Sequence, residues 1–86
     1  MPTVIRSRDN DKVKWAARLV AQSRFRRECG LFVLEGVRLC LDAVRSGYQP
    51  EAVFYTPDRQ GELQGLSLAC ECYEVTREVF SKISDT

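Results

Sequence analysis

The stretch "RFRRECGLFVLEGVRLCLDAVRSG", residues 24–47, carries the strongest strand and helix signals of the chain. Four consecutive apolar residues follow a glycine, and their β-forming character predicts a central strand, covered on both faces, over residues 30–35. Gly36 breaks this strand, and the apolar spacing beyond it predicts a helix over residues 36–46 that stops at Gly47. The side chains expected to face inward from that helix are Val37, Cys40, Leu41 and Val44.

Helix and strand signals alternate along the rest of the chain. A helix capped by Asn10 is predicted from Asp11, and a last short helix is predicted to be capped by Thr76. The remaining segments are a polar connection at residues 23–29, a strand at 51–56, a short or frayed helix within 57–69 and a third strand at 70–75. This order predicts an α/β fold, a three-layer α/β/α sandwich around a small, largely parallel or mixed sheet.

The positive charge of the chain is concentrated near its start. Residues 1–30 contain eight Lys or Arg and three acidic residues, a net charge of +5, whereas residues 31–86 contain five basic and nine acidic residues, a net charge of −4. Such asymmetry indicates a polyanionic partner, although a solvated basic edge is also common in ordinary domains.

Several classes of protein are disfavoured by what the sequence lacks. With 86 residues we expect one domain, and no apolar run is long enough to span a membrane or to form the centre of a signal peptide, so we expect a cytoplasmic protein. The four cysteines form no C-x-x-C pair and there is no histidine, so we interpret the cysteines as packing residues with no metal. Without a histidine base, a glycine-rich phosphate loop or paired carboxylates, no catalytic residues are predicted.

The chain closely resembles one known family over nearly its whole length. The matching features are Ser7 and Asn10, Lys14 after a valine, Arg26 six residues before Phe32, and the "FVLEG" corner at the start of the next helix. In these features the chain resembles the N-terminal substrate-binding domain of SpoU-type RNA 2′-O-ribose methyltransferases, within the SPOUT superfamily. Residues 5–47 are the specific part, and residues 50–86 match mainly in the order of their elements.

The resemblance implies a fold similar to that of ribosomal proteins that bind kinked RNA. It also implies a catalytic domain C-terminal to this one, which binds S-adenosylmethionine and dimerises. Residues 1–86 are then expected to be the RNA substrate-binding part of a longer, homodimeric enzyme, with structured RNA (tRNA or rRNA) as partner. The abrupt end of the chain at "KISDT" agrees with that expectation.

Charged side chains that can reach phosphate groups are the candidate RNA-binding residues, together with the Glu-Gly corner. The predicted set is Arg8, Lys12, Lys14, Arg24, Arg26, Arg27, Glu35, Gly36 and Arg38. Structural alternatives stay open for some of these residues. Arg26 can instead bond backbone carbonyls or Glu35, and the corner can be no more than a tight strand-to-helix turn. Trp15 and Phe25 are expected to pack at the margin of the core, with base stacking as their alternative.

Two further functions remain open at this point. A protein-interaction or dimerisation module would use the acidic second half as its surface. A stand-alone RNA-binding protein of the ribosomal kind would be complete at 86 residues.

Overall fold

The computed structural model describes residues 3–63 and 70–84. These residues form three strands, five helices and one 3₁₀ turn. In chain order the elements are β1 Thr3–Ile5, α1 Asp11–Ala21, α2 Ser23–Cys29, α3 Val37–Arg45, β2 Ala52–Tyr55, the 3₁₀ turn Pro57–Arg59, α4 Gln60–Leu63, β3 Glu71–Val75 and α5 Arg77–Ser84. Within these ranges no helix is both long and apolar enough to cross a bilayer.

The sheet is fully parallel, with the strand order β1-β3-β2. Its central strand is β3, which comes last in the sequence, and Tyr73 of β3 lies opposite Phe54 of β2. The rings of these two residues stack with centroids 5.1 Å apart. The α/β class and the parallel sheet are therefore confirmed.

One face of the sheet carries the core. Tyr73 and Val75 point from β3 toward α1 and α5, which pack against each other. The most deeply buried side chains, Val13, Val75 and Val79, come from α1, β3 and α5 respectively. The opposite face is open at β1, where Val4 is 48% exposed.

Both predicted helix caps are present. The Asn10 side chain accepts a hydrogen bond of 2.8 Å from the Lys12 backbone N–H, and the Thr76 hydroxyl accepts one of 3.2 Å from the Val79 backbone N–H. The predicted stop of α3 is also confirmed, because Gly47 has a φ of 97° and hydrogen bonds back to Val44. These signals are local, so they do not depend on tertiary packing.

The predicted central strand at residues 30–35 is wrong. Residues 31–35 form no strand and pair with none of the three described strands. Phe32 in this segment is 61% exposed. An apolar run indicates a tendency to pair and to be buried, but it does not identify a partner. Here β3 takes the central place and β1 and β2 take its two edges.

Helix α3 is also less buried than predicted. Cys40, Leu41 and Val44 are half-buried, and Leu39 is 56% exposed. Val37 was expected to face inward as well, but its side chain lies outside the described part of the structure. The helix therefore contributes little to the core, in contrast to α1 and α5.

Two elements were not predicted from the sequence. Strand β1 is only three residues long, and α2 occupies the segment expected to be a polar connection. The segment 57–69 was expected to be a short or frayed helix, and α4 indeed has only four residues. Residues 64–69 of that segment lie outside the described residues.

Candidate nucleic-acid interface

The turn between β1 and α1 presents the first cations of the site. The Ser7 hydroxyl accepts a hydrogen bond from the Asp9 backbone N–H (3.1 Å), and the Ser7 carbonyl accepts one from the Asn10 N–H (3.3 Å). These two bonds order the turn, and Arg6 and Arg8 project from it exposed to solvent. The turn lies at the carboxyl edge of the parallel sheet, where open α/β folds bind their ligands.

Helix α1 carries Lys14 and Arg18 on its outer side, because its inner side packs Val13, Ala16 and Leu19 into the protein. Lys12 lies at the start of the same helix, and its ammonium is 5.8 Å from the centroid of the Trp15 ring. Trp15 is half-buried and packs against the core, as expected. It therefore covers the margin of the core.

Arg18 is engaged within the protein. Its guanidinium carbon lies 3.9 Å from the centroid of the Phe25 ring, and its Nε donates a hydrogen bond of 3.2 Å to the Gln22 side chain. Phe25, half-buried, is thereby attached to α1 and holds α2 against it. The packing role expected for Phe25 is what the structure shows, although its contact is to Arg18 and not to the main core cluster.

Arg26 joins α2 to the end of α1. One of its terminal nitrogens (Nη1) donates hydrogen bonds to the carbonyl oxygens of Leu19 and Val20, at 2.7 and 2.9 Å. These carbonyls belong to the last turn of α1 and have no partner within that helix. The backbone alternative for Arg26 is thus realised, and Glu35 is not its partner.

The other two arginines of α2 differ from each other. Arg24 pairs with Glu28 at 3.1 Å, one turn away on the same exposed face. Arg27 is exposed and takes part in none of the ion pairs formed within residues 3–63 and 70–84. Helix α2 ends at Gly30, whose φ of 69° allows the Leu31 and Gly30 N–H groups to bond the Arg26 and Arg27 carbonyls.

The structure therefore separates engaged cations from available ones. Among residues 3–30, the available cations follow the outer side of α1 and the segments at its two ends, over roughly 16 Å of helix at 1.5 Å per residue. We call this set the basic surface; it consists of Arg6, Arg8, Lys12, Lys14 and Arg27, all exposed. No ion pair within the described ranges involves any of the five. Four cations later in the chain are exposed and outside the ion pairs of the described ranges as well: Arg38, Arg45, Arg77 and Lys82.

The corner formed by Glu35, Gly36 and Arg38 is placed differently from the prediction. It was expected at the carboxyl end of a central strand, but no strand precedes it. Gly36 has a φ of 94° and its carbonyl accepts the Cys40 N–H at 3.2 Å, so it opens α3. Glu35 and Arg38 are both exposed, and Glu35 forms none of the ion pairs of the described ranges. The corner therefore does not lie at the carboxyl edge of the sheet, and its contact with RNA stays a prediction.

Sequence reasoning missed a cleft between the β1–α1 turn and α5. This cleft has a volume of about 510 Å³, is open to solvent, and is lined by Arg8, Glu78, Ser81 and Lys82. Arg8 was among the predicted residues, but the three residues of α5 were not. The only sequence signal for them is a lysine spaced one helical turn after a glutamate in an otherwise acidic half.

The carboxyl ends of β2 and β3 also bring charges together. The Thr56 hydroxyl and the backbone of Asp58 itself, with smaller contributions from Arg77 and Arg59, hold the pKa of the exposed Asp58 carboxyl below its usual value. Arg77 follows β3 and Asp58 follows β2, so the two loops face each other at this edge. Arg59 is neutralised there by Asp58 and Glu62, at 3.9 and 2.9 Å.

Cys40 and Cys70 have the properties of packing residues, whereas Cys29 is exposed at the end of α2. Burial, together with the neighbouring Cys72, raises the pKa of the Cys70 thiol to about 11, and burial also raises the pKa of Cys40. Cys40 points its sulfur at the Leu34 carbonyl, 3.7 Å away. Thiols with raised pKa values stay protonated at neutral pH, whereas metal ligation and nucleophilic attack need the thiolate.

Comparison with known proteins agrees with the resemblance described above. A search of curated proteins found no match to this sequence. The family model of the MRM3-like substrate binding domain matches residues 10–86, which include α1, α2, all of α3 and the two strands β2 and β3. The chain therefore belongs to the family of MRM3-like substrate binding domains.

Proposed function

We propose that this domain binds structured RNA, a tRNA or rRNA, and holds it for an RNA 2′-O-ribose methyltransferase. The observation that carries the proposal is the basic surface, five exposed cations that follow the outer side and the ends of α1. RNA affinity arises largely from phosphate charge, and side chains already neutralised by carboxylates contribute little to it. Membership of a substrate-binding family supports the same conclusion.

The enzyme's chemistry belongs to another part of the proposed full-length protein. The cleft beside α5 is lined by two cations, Arg8 and Lys82, and one carboxylate, Glu78, and this net positive set does not suit the sulfonium cation of S-adenosylmethionine. We therefore assign the methyl donor, and the contacts of a homodimer, to a catalytic domain beyond this one. A cytoplasmic location completes the proposal.

The direct test is the binding of the 86-residue chain to a fluorescently labelled tRNA and a labelled rRNA hairpin, measured by anisotropy at several salt concentrations. Five phosphate contacts predict a logarithmic salt slope of about −4, so affinity falls about 100-fold or more between 50 and 200 mM salt. Charge reversal by Lys14→Glu together with Arg27→Glu should weaken binding by about 50-fold or more at 50 mM salt.

The matched control is a double reversal outside both the basic surface and the predicted RNA-binding set, Arg45→Glu on α3 with Arg59→Glu in the 3₁₀ turn. It changes the net charge equally, and we expect it to weaken binding several-fold less. Equal losses for the two double variants would mean that only the net charge matters. Salt-independent binding, or no binding to either RNA at 50 mM salt, would contradict the proposal.

A second candidate function is a protein-interaction module, which one observation favours. Phe32, Leu39 and Tyr48 are between 56% and 61% exposed, and Phe32 and Tyr48 contact each other edge to face at 5.8 Å. Exposed aromatic and aliphatic side chains of this kind are typical of contact surfaces between proteins. Sedimentation at rising protein concentration separates the two functions, because only the second predicts association that persists in high salt.

A further inference from the structure

We propose that the cleft between the β1–α1 turn and α5 is a subsite for one nucleotide of the bound RNA. Arg8 and Lys82 would contact a phosphate group, and Glu78 would accept a hydrogen bond from a donor group of the nucleoside. This inference rests on the proposed RNA-binding function and adds α5, which no part of the basic surface includes.

The two sides of the cleft are built by different, well-supported elements. The backbone of Arg8 lies in the turn that the hydrogen bonds of Ser7 with Asp9 and Asn10 order. Lys82, Ser81 and Glu78 lie on the exposed side of α5, whose opposite side buries Val79 and Ile83 in the core. Because α1 and α5 pack directly on each other, the core fixes the position of α5 relative to the start of α1, next to the turn that carries Arg8.

The charges of the cleft fit a nucleotide better than a simple anion. Arg8 and Lys82 supply two positive charges, and the ion pairs formed within residues 3–63 and 70–84 involve neither of them nor Glu78. A guanidinium binds phosphate oxygens with two parallel hydrogen bonds, and an ammonium binds them as a point charge. A carboxylate would repel a bare phosphate, but it accepts hydrogen bonds from a ribose 2′-hydroxyl or a base amino group.

The position of the cleft also allows it to receive a nucleotide of an RNA that is bound to the basic surface. It lies beside the turn between β1 and α1 and along the exposed side of α5, so it continues the basic surface past the start of α1. With a volume of about 510 Å³ it is large enough for a nucleotide. An RNA strand that follows Lys14 and Lys12 toward the start of α1 therefore meets Arg8 and then Lys82.

The experiment compares Arg8→Gln, Lys82→Gln and the control Arg45→Gln, each of which removes one positive charge from an exposed side chain. Binding of the labelled tRNA and rRNA hairpin is measured at 50, 100 and 200 mM salt. We expect each cleft variant to weaken binding about tenfold at 50 mM salt and to reduce the salt slope by roughly 0.7–0.9, with little change for Arg45→Gln. Thermal melting should show that all three variants keep the fold.

Glu78→Gln and Glu78→Ala test the third contact. Glutamine keeps an acceptor oxygen, so we expect at most a twofold change with Gln and a loss of about fivefold or more with Ala. Tighter binding by both variants would mean that Glu78 only repels the RNA, which would overturn its role.

Failure of this inference differs from failure of the proposed function. If the unmodified chain binds RNA with a steep salt dependence, but Lys82→Gln has no more effect than Arg45→Gln, the cleft is not a subsite while the basic surface stands. If the unmodified chain binds no RNA in a salt-dependent manner, the proposed function fails and the subsite with it.

Discussion

The half of the molecule built by α1, α5 and β3 is tightly packed, whereas residues 31–48 are not. In the first region Val13, Val75 and Val79 are at most 1% exposed. In the second, Phe32, Leu39 and Tyr48 are all more than half exposed. The basic surface and the cleft beside α5 are carried mostly by the packed half, so the backbone positions of their charges are held by rigid elements. A backbone that is ordered before binding loses less conformational entropy on binding, which makes this half the better support for recognition.

The largest difference between the two regions should appear in core substitutions. Ile83→Ala removes a side chain that is 7% exposed and should lower the free energy of unfolding by about 2–4 kcal/mol. Leu39→Ala removes one that is 56% exposed and should change it by about 0.5 kcal/mol or less. Urea denaturation measures both, and Ile83→Val serves as a milder variant if Ile83→Ala does not fold. Equal losses for Ile83→Ala and Leu39→Ala would remove the contrast between the regions.

A smaller effect should separate two neighbouring arginines of α2. Arg26→Met loses the hydrogen bonds to the Leu19 and Val20 carbonyls and should cost about 1–2 kcal/mol of stability. Arg27→Met loses no bond of this kind and should cost about 0.5 kcal/mol or less, while weakening RNA binding. Melting curves measure the stability of both variants, and fluorescence anisotropy measures their binding to RNA. An Arg26 variant of unchanged stability would show that its two hydrogen bonds do not support the junction of α1 and α2.

The cap of α1 offers the next test. Asn10→Ala removes the acceptor of the Lys12 N–H and should cost about 1 kcal/mol, because that N–H belongs to the unpaired first turn of the helix. Ser46→Ala, at the end of α3, is the control in the loosely packed region and should change stability by less than about 0.5 kcal/mol. Urea midpoints measure both effects. A larger loss of stability for Ser46→Ala than for Asn10→Ala would contradict the assignment of Asn10 as the cap of α1.

The smallest effect is expected for the aromatic pair of the loosely packed region. A double-mutant cycle with Phe32→Ala and Tyr48→Ala should give a coupling of about 0.5 kcal/mol, the lower end of the range for such contacts, because both rings are exposed. A coupling above roughly 1.5 kcal/mol would show that residues 31–48 are held together more firmly than their exposure indicates.

Local signals in the sequence predicted their elements well. The caps at Asn10 and Thr76 and the stop at Gly47 were identified, since each depends on neighbouring residues. The strands β2 and β3 were identified as well, from their β-forming composition and alternation. Helix α2 was missed because it lacks apolar periodicity. It is stabilised instead by the Arg24–Glu28 pair, the Arg26 hydrogen bonds and the contact of Arg18 with Phe25.

Prediction failed where the structure depends on which segments meet. The apolar run at residues 31–34 has the composition of a strand, but strand formation needs a partner edge, which composition does not reveal. For the site, the predicted set contains Arg8, Lys12, Lys14 and Arg27 of the basic surface but not Arg6, and their RNA contacts stay predictions. The sequence did not predict that Arg26 would bond carbonyls of α1, or that Lys82 would lie beside Arg8, because both depend on how the helices pack.

The most direct single measurement is a nuclear magnetic resonance titration of the isotopically labelled 86-residue chain with an RNA hairpin at low salt. We expect the largest amide shifts in residues 6–14, 24–27 and 78–82, with residues 39–48 nearly unchanged. Shifts concentrated in residues 39–48, with residues 6–14 unaffected, would contradict RNA recognition by the packed half of the molecule.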